Sequence, residues 1–332
     1  MAFCCNCVAV QVPEEPTDKA AQSSSAAGED SSPRGLFGKT PAELAHLRLQ
    51  VVSACGFAGF NIGLNYFNKW ALTPPPASPG FNVPVFYTMC TMVTSALGVS
   101  LLMWFVPPAT GWPSWAQFWD YKLLLVLNST CTTLNLTMNN ASLTLISLFL
   151  NQVIKATAPA ITVPLSALVE GKRYGWGVIL SVALIVTGTI LAVPQNGHGG
   201  VQTSGAGVVL VIISTLSAST KSIVMSVAMR GSAERPKLGP TAVMFYDCCV
   251  AFFFMLVYWL ASNERERTID YLGQHAGWGI GIILGGGAMA FCFNVSTYYF
   301  VLSTSALTSA VGSNGVKVFS LPPRPSLHVT ST

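Results

Sequence analysis

Charge is the scarcest property of this sequence. Only 9% of its 332 residues are Asp, Glu, Lys or Arg, whereas a soluble domain carries about 25%, so an ordinary water-facing surface is excluded. Histidine is nearly as thin: the chain has four, without the spacing of a metal site. No Gly-rich phosphate loop follows a strand and no Ser/His/Asp set is suggested, which speaks against an enzyme and against a metal or cofactor. Period-2 alternation over ten-residue segments, the mark of a membrane barrel, is also missing. The N-terminal segment lacks the apolar run of a signal peptide.

Apolar residues make up 51% of the chain. A spanning helix needs about 20 mostly apolar residues, and nine stretches qualify: Leu47 to Leu72, Val83 to Val106, Trp119 to Asn140, Leu143 to Val169, Tyr174 to Val193, Gly205 to Met229, Pro240 to Ala261, Ala276 to Leu302 and Ser303 to Leu321. With barrels removed, only helices satisfy every backbone group in hydrocarbon. The expected fold is an all-α polytopic membrane protein. Residues 1–42, rich in Ser, Ala, Glu and Asp, read as a disordered cytosolic tail, 43–321 as the transmembrane domain and 322–332 as a second disordered tail. The acids of the first tail, among them Glu14, Glu15 and Asp18, argue against a plastid or mitochondrial address.

A cytosolic N-terminus places Lys39, Arg48, Lys122, Lys172, Arg173, Arg230, Arg235 and Lys237 on the cytosolic side, against Lys69, Arg265 and Arg267 opposite. That asymmetry sets the expected topology. Nine cysteines are present. Cys55, Cys90, Cys131, Cys248, Cys249 and Cys292 read as small core residues, and Cys4, Cys5 and Cys7 as either an exposed tail or an S-acylation cluster.

Two parts of the chain, 43–195 and 204–321, correspond. Leu143-Thr144 precedes Lys155 in the fourth stretch, and Leu307-Thr308 precedes Lys317 in the ninth. An odd number of helices per half inverts the topology, so the expectation is two inverted five-helix repeats with a site between them. The second half holds four stretches, so the tenth helix reads as missing and the C-terminus as incomplete.

Charges at membrane depth cost about 2.5 to 3.5 kcal/mol each on insertion scales, and four are present: Lys155, Lys221, Asp247 and Lys317. An anionic substrate would neutralise the net positive charge. Lys221 has a competing reading as the structural partner of Asp247. Lys155 and Lys317 are read as lying inside their spans, too deep for a lysine stem to reach the interface. Asn65, Asn140 and Asn294 sit at similar depth, where both interhelical hydrogen bonding and recognition of hydroxyls or a base remain open.

These residues resemble the nucleotide-sugar and triose-phosphate translocator family of the drug/metabolite transporter superfamily. Asn61-Ile62-Gly63-Leu64-Asn65-Tyr66-Phe67-Asn68-Lys69 looks like the family's Asn-rich stretch, and Leu148 to Ala156 with Pro159 resembles its Ile-Lys-Ala and Pro pattern. Lys221-Ser222-Ile223 and Ser305-Ala306-Leu307-Thr308 leading to Lys317 complete the likeness over about residues 47–317. It implies ten helices in two inverted halves, with Lys155 and Lys317 gripping phosphate from opposite sides. It also implies antiport in a Golgi or ER membrane, most nearly of a nucleotide sugar for a nucleoside monophosphate. Val318 after Lys317, and Phe293 where plastid members carry a phosphate-contacting Tyr, argue against the triose-phosphate branch. A sugar-phosphate/phosphate translocator and a truncated, non-transporting partner of a full-length carrier are the alternatives. The implied partners are the bilayer and a small anionic metabolite, with a homodimer left open and no nucleic acid.

Overall fold

In the computed structural model, the structure describes residues 41–72, 81, 83–108, 111–143, 145–146, 148–192, 204–231 and 237–320. The two tails other than Pro41 and Ala42, the Cys4, Cys5 and Cys7 cluster, Lys39 and Arg235 lie outside the described residues, as do the side chains of Asn140 and Lys317. The described residues form ten helices and no strand. They are α1 (Pro41–Leu72), α2 (Pro84–Phe105), α3 (Trp115–Leu143), α4 (Leu148–Lys155), α5 (Ala158–Glu170), α6 (Trp176–Ala192), α7 (Gly205–Arg230), α8 (Pro240–Ala261), α9 (Glu264–Ser303) and α10 (Ala306–Ser320). Pro84 and Pro240 open α2 and α8 at the first-turn position where the missing N–H costs nothing.

Six segments are long and apolar enough to cross a membrane: Glu43–Leu72, Pro84–Phe105, Leu150–Glu170, Gly205–Arg230, Pro240–Ala261 and Glu264–Ser303. Trp176–Gly188 is apolar but shorter. The nine expected stretches differ from these six for physical reasons. The α3 helix is long but carries Asn128, Ser129, Thr132, Thr133, Asn135 and Asn139, which dilute its hydropathy, and α10 has only 15 residues. The fourth stretch is not one continuous helix but α4 and α5, broken at Ala156 and Thr157. The eighth begins earlier than expected, at Glu264, and kinks at His275, whose φ of −134° and ψ of 40° leave the helical region.

The main core joins α2, α3, α7, α8 and α9 through Val99, Leu125, Met225, Val243, Met244, Ala251 and Tyr298. Helix α3 packs most extensively on α7, α9 on both α1 and α2, and α2 on α8. Small residues permit these approaches, as in lipid generally. A Cβ on Gly98 of α2 would come within 2.7 Å of the Phe291 ring of α9, and one on Gly287 would collide with Thr94. By contrast α4, α5, α6 and α10 are thinly packed. Exposed Trp104, Trp115 and Trp176 lie at helix ends and Trp112 in the loop between α2 and α3, where aromatic side chains suit the membrane interface. Of the expected core cysteines, Cys131 and Cys248 are buried, whereas Cys55 is exposed on the outer face of α1.

Candidate functional site

Helix α8 carries a single charged residue, Asp247, which is 3% exposed. A carboxylate so deep requires donors, and three neighbouring helices supply them. Lys221 Nζ of α7 lies 3.0 Å from Oδ2, Tyr298 Oη of α9 donates to Oδ2 at 2.8 Å, and Thr132 Oγ1 of α3 lies 3.0 and 3.1 Å from the two oxygens. Ser129 Oγ reaches the Asp247 carbonyl at 3.4 Å, and Asn128 Nδ2 reaches Tyr298 Oη at 3.5 Å. The Lys221 ammonium also stands 5.7 Å from the Tyr298 ring centroid, within cation–π range. The charge on Lys221 is therefore answered from within the bundle. Among the described residues, Asn128 Oδ1 is buried with no donor.

A second polar group joins α3 to α4. Asn151 is fully buried, and its Nδ2 donates to Ser142 Oγ at 2.7 Å and Asn139 Oδ1 at 3.2 Å. Ser142 Oγ donates in turn to the Asn139 carbonyl at 2.7 Å. Lys155 lies one turn beyond Asn151, on the same helical face, half-buried as the last residue of α4. Directly after it the helix breaks. Pro159 has no N–H, so the helical donor for the Lys155 carbonyl is absent. Thr157 Oγ1 instead donates back to the Ile154 carbonyl at 2.7 Å, and Ala156 N shares the Gln152 and Val153 carbonyls. The α4–α5 pair is thus a discontinuous helix with a lysine at the discontinuity.

The remaining candidates are dispersed. Asn294 of α9 faces Ser95 of α2, with 3.5 Å between Nδ2 and Oγ. Asn65 is exposed and donates to Asn61 Oδ1 of its own helix at 2.7 Å. The backbone of Lys317 belongs to α10, which packs on α5, the helix that follows Lys155. Residue types alone had singled out neither Tyr298 nor Thr132. The one available signal was the isolation of Asp247 in an apolar helix, which demanded donors without naming them.

Membrane-length helices around a buried polar interior make this a multi-pass membrane protein. The chain belongs to the Triose-phosphate Transporter family, whose model matches residues 47–321. It is therefore a membrane transporter and not an enzyme. Three relatives from Arabidopsis thaliana are each 26% identical to it. UDP-uronic acid transporter 1 aligns over 76% of this chain and 79% of its own length. A GDP-mannose transporter aligns over 77% and 71%, and a probable sugar phosphate/phosphate translocator over 76% and 79%.

Proposed function

We propose that the protein is an antiporter that exchanges a nucleotide sugar for a nucleoside monophosphate, with Lys155 as the principal phosphate ligand and Lys317 as its counterpart. The observation that carries this reading is the break in the α4–α5 helix immediately after Lys155. Discontinuous helices near mid-membrane are where secondary transporters build substrate sites, because irregular backbone is tolerated only where it lines a cavity or is buried in protein. A lysine at that position brings a compact charge on a flexible stem, suited to a phosphate that must be held and released in each cycle.

The inverted-repeat organisation, with halves 43–195 and 204–321, is part of the proposal. If α1, α2, α3 and α4–α5 correspond to α7, α8, α9 and α10, the extensive α3–α7 contact has its counterpart in α9–α1, and α2–α9 in α8–α3. That pairing supports a two-fold relation. Asn140 and Asn294 are proposed as hydroxyl or base contacts, and Asn65 as an outer one. Lys221 is proposed to act on substrate only when its bond to Asp247 opens. A cytosolic N-terminus and a Golgi or ER membrane complete the reading, supported by relatives named as nucleotide-sugar transporters.

Sugar phosphate/phosphate exchange is the second reading, favoured by the equally similar relative named as such a translocator. Liposomes preloaded with nucleoside monophosphate, or with inorganic phosphate, separate the two. Uptake of a nucleotide sugar that depends on internal monophosphate supports the first reading, and uptake of a sugar phosphate against phosphate the second. Absence of exchange from either preload, with an active relative assayed in parallel, overturns both.

A further inference from the structure

We infer that the groove between α5 and α6 is a binding site for an anionic phospholipid, with an acyl chain between the helices and the headgroup at their connecting loop. The groove is open, with a volume of about 380 Å³, and runs between Ala160, Val163 and Pro164 of α5 and Val182, Ala183 and Val186 of α6. Its lining carries a single side-chain hydroxyl, that of Thr187. Ala160 and the Pro164 ring line it from α5, and Ala183 from α6. Such a void is filled by whatever apolar group adjoins it, and around a membrane-spanning segment that group is an acyl chain.

Charge complementarity at one end distinguishes this groove from other lipid-facing surface. Consecutive helices are joined by Gly171 to Gly175, so this loop lies towards one end of the groove. Pro164 and Glu170 are six residues apart, or about 9 Å at 1.5 Å per residue, which is within the reach of a phospholipid whose head sits at the loop. The loop is held in place. Gly171 takes the left-handed conformation, φ +65°, that ends α5, and Tyr174 Oη lies 2.6 Å from Oγ of the fully buried Ser166. Lys172 is matched to Glu170 at 3.1 Å, and Arg173 beside it is exposed. Arg230 adds a further exposed cation 3.9 Å from the same Glu170. Trp176, 85% exposed, opens α6 at this level as an interfacial anchor. In the topology proposed above, the loop faces the cytosolic leaflet, where anionic lipids concentrate.

The test uses the full chain purified in a neutral detergent, with thermal unfolding followed as phosphatidylserine or phosphatidylcholine is added. The site predicts a saturable rise in Tm with phosphatidylserine that exceeds the rise with phosphatidylcholine. Arg173→Ala should reduce the phosphatidylserine response to that of phosphatidylcholine, whereas Arg48→Ala, which removes an exposed cation elsewhere, should leave it intact. Ala183→Leu, which fills the groove, should weaken the response at unchanged charge. Equal responses to the two lipids, or a phosphatidylserine response that survives both Arg173→Ala and Ala183→Leu, would overturn the inference. So would a change of oligomeric state by light scattering in Ala183→Leu with the lipid response preserved, because the occupant would then be a second copy. Because the readout is binding and not transport, it stands or falls separately from the exchange activity.

Discussion

Lys221 Nζ and Tyr298 Oη converge on the same oxygen of Asp247, at 3.0 and 2.8 Å. With Thr132 on the carboxylate as well, a single acidic group ties together α3, α7, α8 and α9. A buried pair of this kind is costly to leave half-broken, because the surviving charge remains desolvated.

Asp247→Ala should therefore be the more damaging single change, since it strands the Lys221 ammonium. A loss of about 3–5 kcal/mol is expected from removing one partner of a buried pair. Lys221→Ala should cost less, because Tyr298 and Thr132 still donate to the carboxylate. Replacing both, as Lys221→Met with Asp247→Leu, should recover most of the stability. Thermal unfolding in detergent ranks the three variants. Exchange by the stabilised double variant then decides the role of Lys221: retained exchange makes the pair a staple, and lost exchange puts Lys221 on the substrate path.

Lys155→Ala should abolish the thermal stabilisation given by a nucleotide ligand. At a hundredfold excess over Kd that stabilisation amounts to about 2.7 kcal/mol, so its loss is measurable. Lys155→Arg keeps the charge but replaces a compact ammonium with a planar fork. It should retain part of the binding shift while slowing exchange. A full ligand shift in Lys155→Ala would remove Lys155 from the site.

The sequence made the helical class and the competing partnership of Lys221 with Asp247 legible, because charge in an apolar run is conspicuous whatever the fold. It did not reveal how α3 contributes. Its Asn, Ser and Thr residues look alike in a row, and only packing turns Thr132 towards Asp247 and Asn135 Oδ1 towards Ser214 Oγ at 2.8 Å. The α4–α5 break was within reach of the sequence, since Pro159 removes the Lys155 carbonyl's helical donor. Hydropathy averaged over the stretch smoothed that signal away. Asn65 shows the converse: its depth along α1 suggested a polar contact, but the face it occupies is exposed.

Close approach of α2 and α9 should be sensitive to single methyl groups. Gly98→Ala would bring a Cβ within 2.7–3.0 Å of three atoms of the Phe291 ring, and overpacking of this sort costs about 1–3 kcal/mol. Gly177→Ala, on α6, meets nothing within 4 Å. There the gain in helix propensity should leave stability unchanged or raise it by up to about 1 kcal/mol. Paired unfolding curves test the contrast, and equal effects would refute the packing argument.

Pro159→Ala addresses the break itself. Alanine restores an N–H four residues after Lys155, the donor a continuous helix would use. The gain in stability should be small, because a proline within the first two positions of α5 is already well tolerated. The effect on transport should be larger. If the interruption lets Lys155 follow the substrate between the two sides of the membrane, healing it should slow exchange while leaving the ligand-induced thermal shift close to that of the parent protein. Slower turnover with preserved binding is the signature of impaired conformational exchange rather than a lost contact. Exchange at the parental rate would mean that the break at Ala156 and Thr157 positions Lys155 but does not move with the cycle.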